Sequence, residues 1–272
     1  MLLCTVRACG LALTRDGRRL VCPNAHSFDV ARSGYVNLLQ PQDRRSKEPG
    51  DSAEVIVARR RLHDRGVTGA LQIAVNKLLL EPTVGRAELQ LRFPGDVDTV
   101  LDVGCGDGFY IGSLAQATGC KGHGVDISTP AIDAAARRYQ SCEFVVANAD
   151  RFLPYSDASF SIVMSIAARM NPPEFRRVLH PDGLLLIAVP APDDLIELRG
   201  KGRNDRVTRT VDEFRPSFRL VAEHRATTQA DLDAESVGDV LKSIYRPLRT
   251  EPLVPMRVTF SLDLLVFQTA QN

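Results

Sequence analysis

The chain has 272 residues, 44% apolar and 25% charged, with six cysteines and a formal net charge of +1. That is an ordinary globular composition in a chain longer than an average domain, so one large domain with a small appendage is expected. No apolar run approaches membrane-spanning length, and Arg7 interrupts the apolar opening with no basic lead or cleavage pattern, so no membrane partner is expected and the reading is a mature cytoplasmic protein.

The small total charge hides an asymmetry. Residues 1–66 hold 12 Lys/Arg against 7 Asp/Glu, a balance of +5 that leaves −4 for the rest, so the basic side is read as the N-terminal quarter. The cysteines divide in the same way. Cys4, Cys9 and Cys22 cluster with His26 as Cys4-x4-Cys9-x12-Cys22-x3-His26, whereas Cys105, Cys120 and Cys142 stand alone and read as packing thiols.

Three thiolates and an imidazole in two close pairs, separated by a segment with the turn-forming Arg15-Asp16-Gly17, are a tetrahedral zinc set. Four protein ligands leave no position for water, so the metal is structural. A segment this short and poor in large apolar side chains depends on the metal to fold. His63 lies too far along the chain, in a basic helical stretch, to compete with His26. Residues 1–40 are therefore assigned to a zinc-binding module and 41–66 to a basic linker and helix. Arg44, Arg45 and Lys47 lie in the linker, and Arg59, Arg60 and Arg61 on a helical stretch from Ala53.

Residues 67–272 form the third unit. A helix is expected at 68–80, followed by strand 98–104, helix 109–117, strand 121–126, helix 129–139, strands 142–147 and 160–166, helix 173–179 and strand 183–189. This alternation predicts an α/β fold with a parallel sheet covered on both faces. The apolar segments 218–222 and 258–267 suit an antiparallel pair closing the sheet.

The first strand ends in Asp102-x-Gly104-x-Gly106-Asp107-Gly108-x-Tyr110 and the second in Asp126-Ile127. Glycines at that spacing let a ligand approach the turn's amides, and an acid about 20 residues on is placed to bind a ribose diol. Asp102 and Asp107 would repel a pyrophosphate but suit a cationic amino-acid tail, which favours S-adenosylmethionine over NAD. Asn148 and Ala149, after the third strand, are expected along the adenine edge. The candidate donor-binding set is thus Asp102, Gly104, Gly106, Asp107, Gly108, Tyr110, Asp126, Ile127, Asn148 and Ala149.

The turn is similar to motif I of the class I (Rossmann-like) methyltransferases. The longer pattern C-P-x-x-H-x-F-D-x-A-x-x-G-Y-V-N-L-L over residues 22–39, followed by G-D-S-A-E and A-R-R, resembles the bacterial 23S ribosomal RNA guanine-N1 methyltransferases, the RlmA group, which includes macrolide-resistance members. The likeness runs from about Cys4 to the middle 190s. One departure stands out: the family's first cysteine pair is usually C-x-x-C, here Cys4-x4-Cys9, which makes Cys4 the least secure ligand. The resemblance implies a zinc module that helps recognise a hairpin of 23S rRNA and a domain that methylates N1 of one guanine, with antibiotic resistance as one role of the group and a homodimer admitted as an assembly.

Arg15, Arg18, Arg19 and the linker and helix arginines are candidates for phosphate contacts. Phe28 and Tyr35 read as module core before stacking platforms. Asn171-Pro172-Pro173-Glu174-Phe175 looks like an amino-methylation motif, but its position favours Asn171 as a helix N-cap. Asp193, Asp194 and Glu197 are acids near the expected mouth, and no spacing singles out a general base, so catalytic residues stay unassigned. The sequence leaves two alternatives open, a small-molecule (natural-product) methyltransferase and a non-catalytic RNA-binding relative. The segment Lys242–Arg249 does not resemble the housekeeping members and leaves the target guanine open.

Overall fold

The computed structural model describes residues 1–44, 46–80, 99–244 and 253–270. Arg45 and positions 245–249 of the substrate-side segment lie outside the described residues, as does the first position of the expected 98–104 strand. The N-terminal module contains β1 (Thr14–Asp16), β2 (Arg19–Val21) and β3 (Ser27–Asp29), an antiparallel sheet in that order, and then β4 (Val36–Asn37). Gly17, at φ +59°, begins the two-residue turn of the β1–β2 hairpin.

Two helices follow, α1 (Ala53–Asp64) and α2 (Gly69–Leu80). Ser52 caps α1 by accepting the Val55 N–H, and Ile56, Ala58 and Leu62 at helical spacing are its buried stripe. The α/β unit then runs β5 (Thr99–Val103), α3 (Phe109–Thr118), β6 (Lys121–Asp126), α4 (Thr129–Arg138), β7 (Glu143–Val146), β8 (Phe160–Ile166), α5 (Pro172–Val178) and β9 (Leu179–Pro190). After β9 come the four-residue α6 (Ile196–Arg199), α7 (Val207–Phe214), β10 (Phe218–Leu232), α8 (Ala234–Ser243) and β11 (Met256–Thr269).

The main sheet has eight strands in the order β10-β11-β9-β8-β5-β6-β7-β4. Strands β4 to β9 within it run parallel, and β11 is antiparallel to both neighbours, so the sheet is mixed. Expected and observed elements agree to within a residue or two for most of the chain, but β9, β10 and β11 are longer than expected. Their inner positions alternate between two core clusters on opposite faces: Leu262, Leu264 and Val266 belong to one, Leu265 and Phe267 to the other.

The N-terminal module is continuous with this sheet. Val36 and Asn37 pair with Val145 and Val146, which makes β4 an eighth, edge strand. Parallel strands are usually joined through a covering helix, yet the β7-to-β8 connection contains none. The module provides the cover there: Leu2 bridges to Tyr155, the Leu3 N–H donates to Pro154 O at 2.9 Å, and the Ser156 N–H donates to Met1 O at 3.0 Å. Cys4, Cys22, Phe28, Val36 and Leu38 share one buried cluster with Leu101, Val103, Val125 and Val145. Phe28 is accordingly a core residue, and Tyr35 packs half-buried against the opposite cluster. Helices α2, α3, α4 and α8 cover that opposite face, while α5 and α7 share the module's face.

Candidate functional site

In the N-terminal module the ligand atoms of Cys4, Cys9, Cys22 and His26 all lie within 4.8 Å of one another. Two tight turns converge them. In one, the Cys9 N–H donates to Val6 O, with Ala8 and Gly10 at positive φ; in the other, the Ala25 N–H donates to Cys22 O, with Ala25 at φ +62°. The Cys9 and Cys22 sulfurs are 3.7 Å apart, and His26 Nδ1 lies 3.4 Å from both the Cys4 and Cys22 sulfurs. A tetrahedral zinc with its usual bond lengths requires S···S and S···N separations of about 3.8 and 3.5 Å. The set fits, with Nδ1 as the imidazole donor. Cys4, the weakest candidate by sequence, is buried at 1% exposure, and the wider x4 loop still delivers it. Burial pushes its thiol up to about 12, so a dication must displace a proton to bind there.

The second site lies beyond the carboxyl ends of β5, β6 and β7, as expected for an open α/β sheet. Gly104, at φ +77°, leaves the end of β5 and donates its N–H to Val125 O at 2.8 Å; a Cβ there would stand 2.4 Å from Ala168 Cβ. Gly106, at φ +55°, donates its N–H to Asp126 Oδ2 at 3.0 Å, and Ser128 donates its N–H to Asp126 Oδ1 at 2.8 Å. Each carboxylate oxygen thus keeps an acceptor position beyond its backbone partner. Burial raises the Asp126 pKa, partly opposed by those two bonds. This is a group that gains from further hydroxyl donors.

Asp102 lies under the turn at 2% exposure. Burial, then the charge of Asp126, pushes its carboxyl up to about 8, while a bond from the Ile111 backbone acts in the opposite direction. Ile111 is in the first turn of α3, whose N-cap is Gly108 with no side chain to offer, so Asp102 fills the capping role from the strand. Asp107 turns toward α1, with its Oδ2 3.4 Å from His63 Nδ1; burial opposes its ionisation, but His63, Arg59 and Arg138 lower its pKa overall. The His63 ring stacks on Phe109 at 3.8 Å. Tyr110 is half-buried, and desolvation raises its hydroxyl pKa. Of these three carboxyl groups, Asp102 is buried beneath the turn and Asp107 is engaged with His63, while Asp126 keeps acceptor positions open to hydroxyl donors.

The linker, expected from the sequence to contact phosphate and not the donor, covers this turn. Gly50, at φ +84°, packs so closely that a Cβ would meet Ser128 Cβ at 2.7 Å and Ile127 Cγ2 at 3.0 Å. Ser128 Oγ donates to Asp51 O at 2.6 Å, Asp51 pairs with Arg59 at 2.7 Å, and an Arg59 nitrogen would lie 3.3 Å from a Cβ on Gly106. The sequence signal for it is G-D-S-A-E over residues 50–54 and A-R-R over 58–60, both part of the family pattern.

The loop after β7 faces the linker and α5. Asn148 Nδ2 donates to Asp43 O at 2.9 Å, and Asn171 Nδ2 donates to the carbonyls of Ala149 and Asp150 at 2.9 and 3.2 Å. Asn171 occupies the N-cap position with Pro172 in the first turn, but its side chain makes no capping bond: it ties α5 to this loop. A cleft of about 300 Å³ opens between the first zinc turn and this loop, lined by Arg7, Asp43, Asn148, Arg151 and Phe152 among others.

Two of the three acids after β9 are committed to β11. Asp194 accepts the Ser261 N–H at 3.2 Å, and Glu197 accepts the Thr259 N–H and hydroxyl at 2.9 and 2.6 Å. Neither caps the following helix. The α1 arginines are likewise engaged: Arg59 with Asp51, Arg60 with Asp64, and Arg61 in a two-pronged pair with Asp239 on α8, while Arg65, just after α1, reaches Asp233 and Glu235. Arg59, Arg61 and Arg65 thus brace α1 against its neighbours, while Arg60 makes only a 3.9 Å pair within the helix.

Residues 4–47 match the RlmA N-terminal zinc ribbon, and residues 100–183 match a methyltransferase domain family. The 23S rRNA (guanine(748)-N(1))-methyltransferase of Streptomyces fradiae is 33% identical over 239 residues, spanning 86% of this chain and 81% of that protein. Bacillus subtilis (strain 168) YxjB, named provisionally for a 23S rRNA (guanine-N(1)-)-methyltransferase, is 34% identical over 213 residues, 76% of this chain and 71% of its own length. Among solved structures, a chain from the complex of the Haloferax volcanii Trm112 methyltransferase activator with a methyltransferase aligns with a TM-score of 0.51 at 20% identity, covering 82% of this chain and 99% of that one, a likeness of fold. The fold is that of a class I S-adenosylmethionine-dependent methyltransferase, with a Cys3His cluster fit for structural zinc. The chain belongs to the RlmA-type family of 23S rRNA (guanine-N1)-methyltransferases.

Proposed function

We propose that this protein transfers a methyl group from S-adenosylmethionine to N1 of a guanine in 23S ribosomal RNA. The observation that carries the reading is the joining of an RlmA-type zinc module and a donor pocket in one buried core, in a chain related over most of its length to enzymes named for that reaction. The small-molecule alternative gives the zinc module no task, and the non-catalytic one gives the glycine turn and Asp126 none.

In this reading the donor lies against the 104–108 turn, whose Gly104, Cys105, Gly106 and Gly108 N–H groups are spent within the fold, and the free acceptor positions of Asp126 hold its ribose, with Ile127, Asn148 and Ala149 along its adenine edge. Asp102 sets the turn from beneath, and Asp107, paired with His63, fixes α1 as the roof. Bound S-adenosylmethionine supplies a methyl on a sulfonium that is already activated, so the protein's work is alignment and exclusion of water. Guanine N1 carries a proton at neutral pH that must leave, while the hydrogen bonds of Asp194 and Glu197 to β11 fix those two carboxylates in place. Such a substrate sets the protein in the cytoplasm, and methylation of a guanine contacted by macrolides would make it a resistance determinant.

Incubation with labelled S-adenosylmethionine and unmodified 23S RNA, followed by mapping of reverse-transcriptase stops, tests the reaction. One stop at one guanine is expected; label appearing only in a small molecule would refute it.

A further inference from the structure

The whole-chain charge places the basic side in the N-terminal quarter, but α1 spends its arginines internally. A different segment keeps its charge. Residues 199–209 carry five basic residues, Arg199, Lys201, Arg203, Arg206 and Arg209, against Asp205 alone. They follow β9 after the loop that leads into α6. We propose that Arg199, Arg203 and Arg206 form a clamp for backbone phosphates of the RNA beside the nucleotide that receives the methyl group; this rests on the RNA reading above.

The loop is built to bring these side chains together. Helix α6 stops at Gly200, at φ +67°, and the Arg203 N–H returns to Pro192 O at 2.7 Å. Gly202 fits because a Cβ there would approach Pro192 O to 3.2 Å. Arg199 and Arg203 therefore flank Asp194. That carboxylate gives one oxygen to the Ser261 N–H and lies 3.4 Å from Arg203 through the other. It is the cluster's one ion-pair partner among the described residues, against three guanidinium groups.

Asp205 turns its carboxylate to the Val207 N–H at 2.8 Å, Asp263 is held by Arg225 at 2.7 and 3.2 Å, and the charges of Asp193 and Asp205 bear on Arg225. The Nε atoms of both Arg199 and Arg203 are buried without an acceptor. Burial and the neighbouring charges of Arg199 and Arg206 lower the pKa of Arg203.

Buried donors are rarely left unpaired, and guanidinium groups held together against their own repulsion need an anion. A phosphate offers several acceptors to planar forks. Here the anion would lie against the loop that leaves the carboxyl end of β9.

Arg199 and Arg206 make no ion pair among the described residues, so replacing them leaves no carboxylate stranded. The test compares wild type with the double variant Arg199→Gln/Arg206→Gln in binding to an unmodified 23S RNA transcript across a salt series. Loss of two phosphate contacts should lower the slope of log K against log salt by roughly 1.4 to 1.8, and raise KM for RNA more than it changes kcat. Donor affinity by calorimetry and the thermal midpoint should be unchanged, and the paired Lys substitutions should restore most of the slope. Equal slopes for wild type and double variant would overturn the clamp, as would weakened binding to polyglutamate with RNA binding intact, which would assign the cluster to an acidic protein. A wild type that binds RNA through these arginines yet transfers no methyl would sink the proposed reaction and leave the clamp standing.

Discussion

Substitution of Asp102 by Asn should change how stability depends on pH rather than lower it uniformly. The carboxyl is 2% exposed under the glycine turn, and burial plus the charge of Asp126 raise its pKa from 3.8 to about 8. Between those values the folded protein keeps a proton that the unfolded chain has lost. Stability therefore falls as pH rises through that window, by about 1.4 kcal/mol per unit, and levels off above the folded pKa. Across the full window this approaches about 6 kcal/mol, comparable with the whole stability of many domains. Asparagine resembles the protonated acid in shape, and its carbonyl can still accept the Ile111 N–H.

Urea unfolding of the zinc-loaded, donor-free protein should find the wild type already about 1–2 kcal/mol below the variant at pH 5, because the unfolded-state carboxyl has ionised by then. From pH 6 to 8 the wild type should lose about 2–3 kcal/mol relative to the variant, part of it through Asp126, which no longer faces a second acid. Parallel pH profiles, or an equal loss in the variant at both ends, would show that the Asp102 carboxylate is ionised in the fold and held by the N-terminus of α3.

Cys22→Ser should lose the metal by elemental analysis and lower the thermal midpoint by about 10 °C or more, because Cys4 and Cys22 belong to the core that covers the β7–β8 crossover; retained zinc at an unchanged midpoint would reject the cluster. Asp126→Ala should weaken S-adenosylmethionine binding about 10- to 100-fold by calorimetry through loss of charge-assisted hydrogen bonds, and unchanged affinity would remove that residue from the site. Gly104→Ala, with φ +77° and its new methyl 2.4 Å from Ala168 Cβ, should cost about 2 kcal/mol or more in urea unfolding, and adding Ala168→Gly should recover the clash but not the backbone strain. Arg61→Gln should lower the thermal midpoint by freeing the buried Asp239, yet leave the salt dependence of RNA binding unchanged; a reduced slope would return α1 to the RNA-binding surface.

The readable parts of the chain were those whose chemistry is local. Cys4, Cys9, Cys22 and His26 are two short pairs joined by one hairpin, and their spacing alone predicted the convergence now seen within 4.8 Å. The glycines of the 104–108 turn and Asp126 lie at opposite ends of one strand-helix-strand unit, and alternating apolar strands and amphipathic helices placed most element boundaries. Asn171 marks a limit of this locality. Its identity and the following prolines place it at a helix start, but its amide bonds to a loop 21 and 22 residues away.

The sequence by itself determined the fold class and the zinc ligands, because periodicity and short spacings act within a few turns of chain. Only the tertiary structure decided that the N-terminal module is an edge strand and a cover of the catalytic sheet, since Val36 meets Val145 across more than a hundred residues. It alone decided which arginines are free. A guanidinium's charge is written in the sequence, but its counterion is not: Arg61 finds Asp239 at a separation of 178 residues, while Arg199 and Arg206 find no carboxylate partner among the described residues.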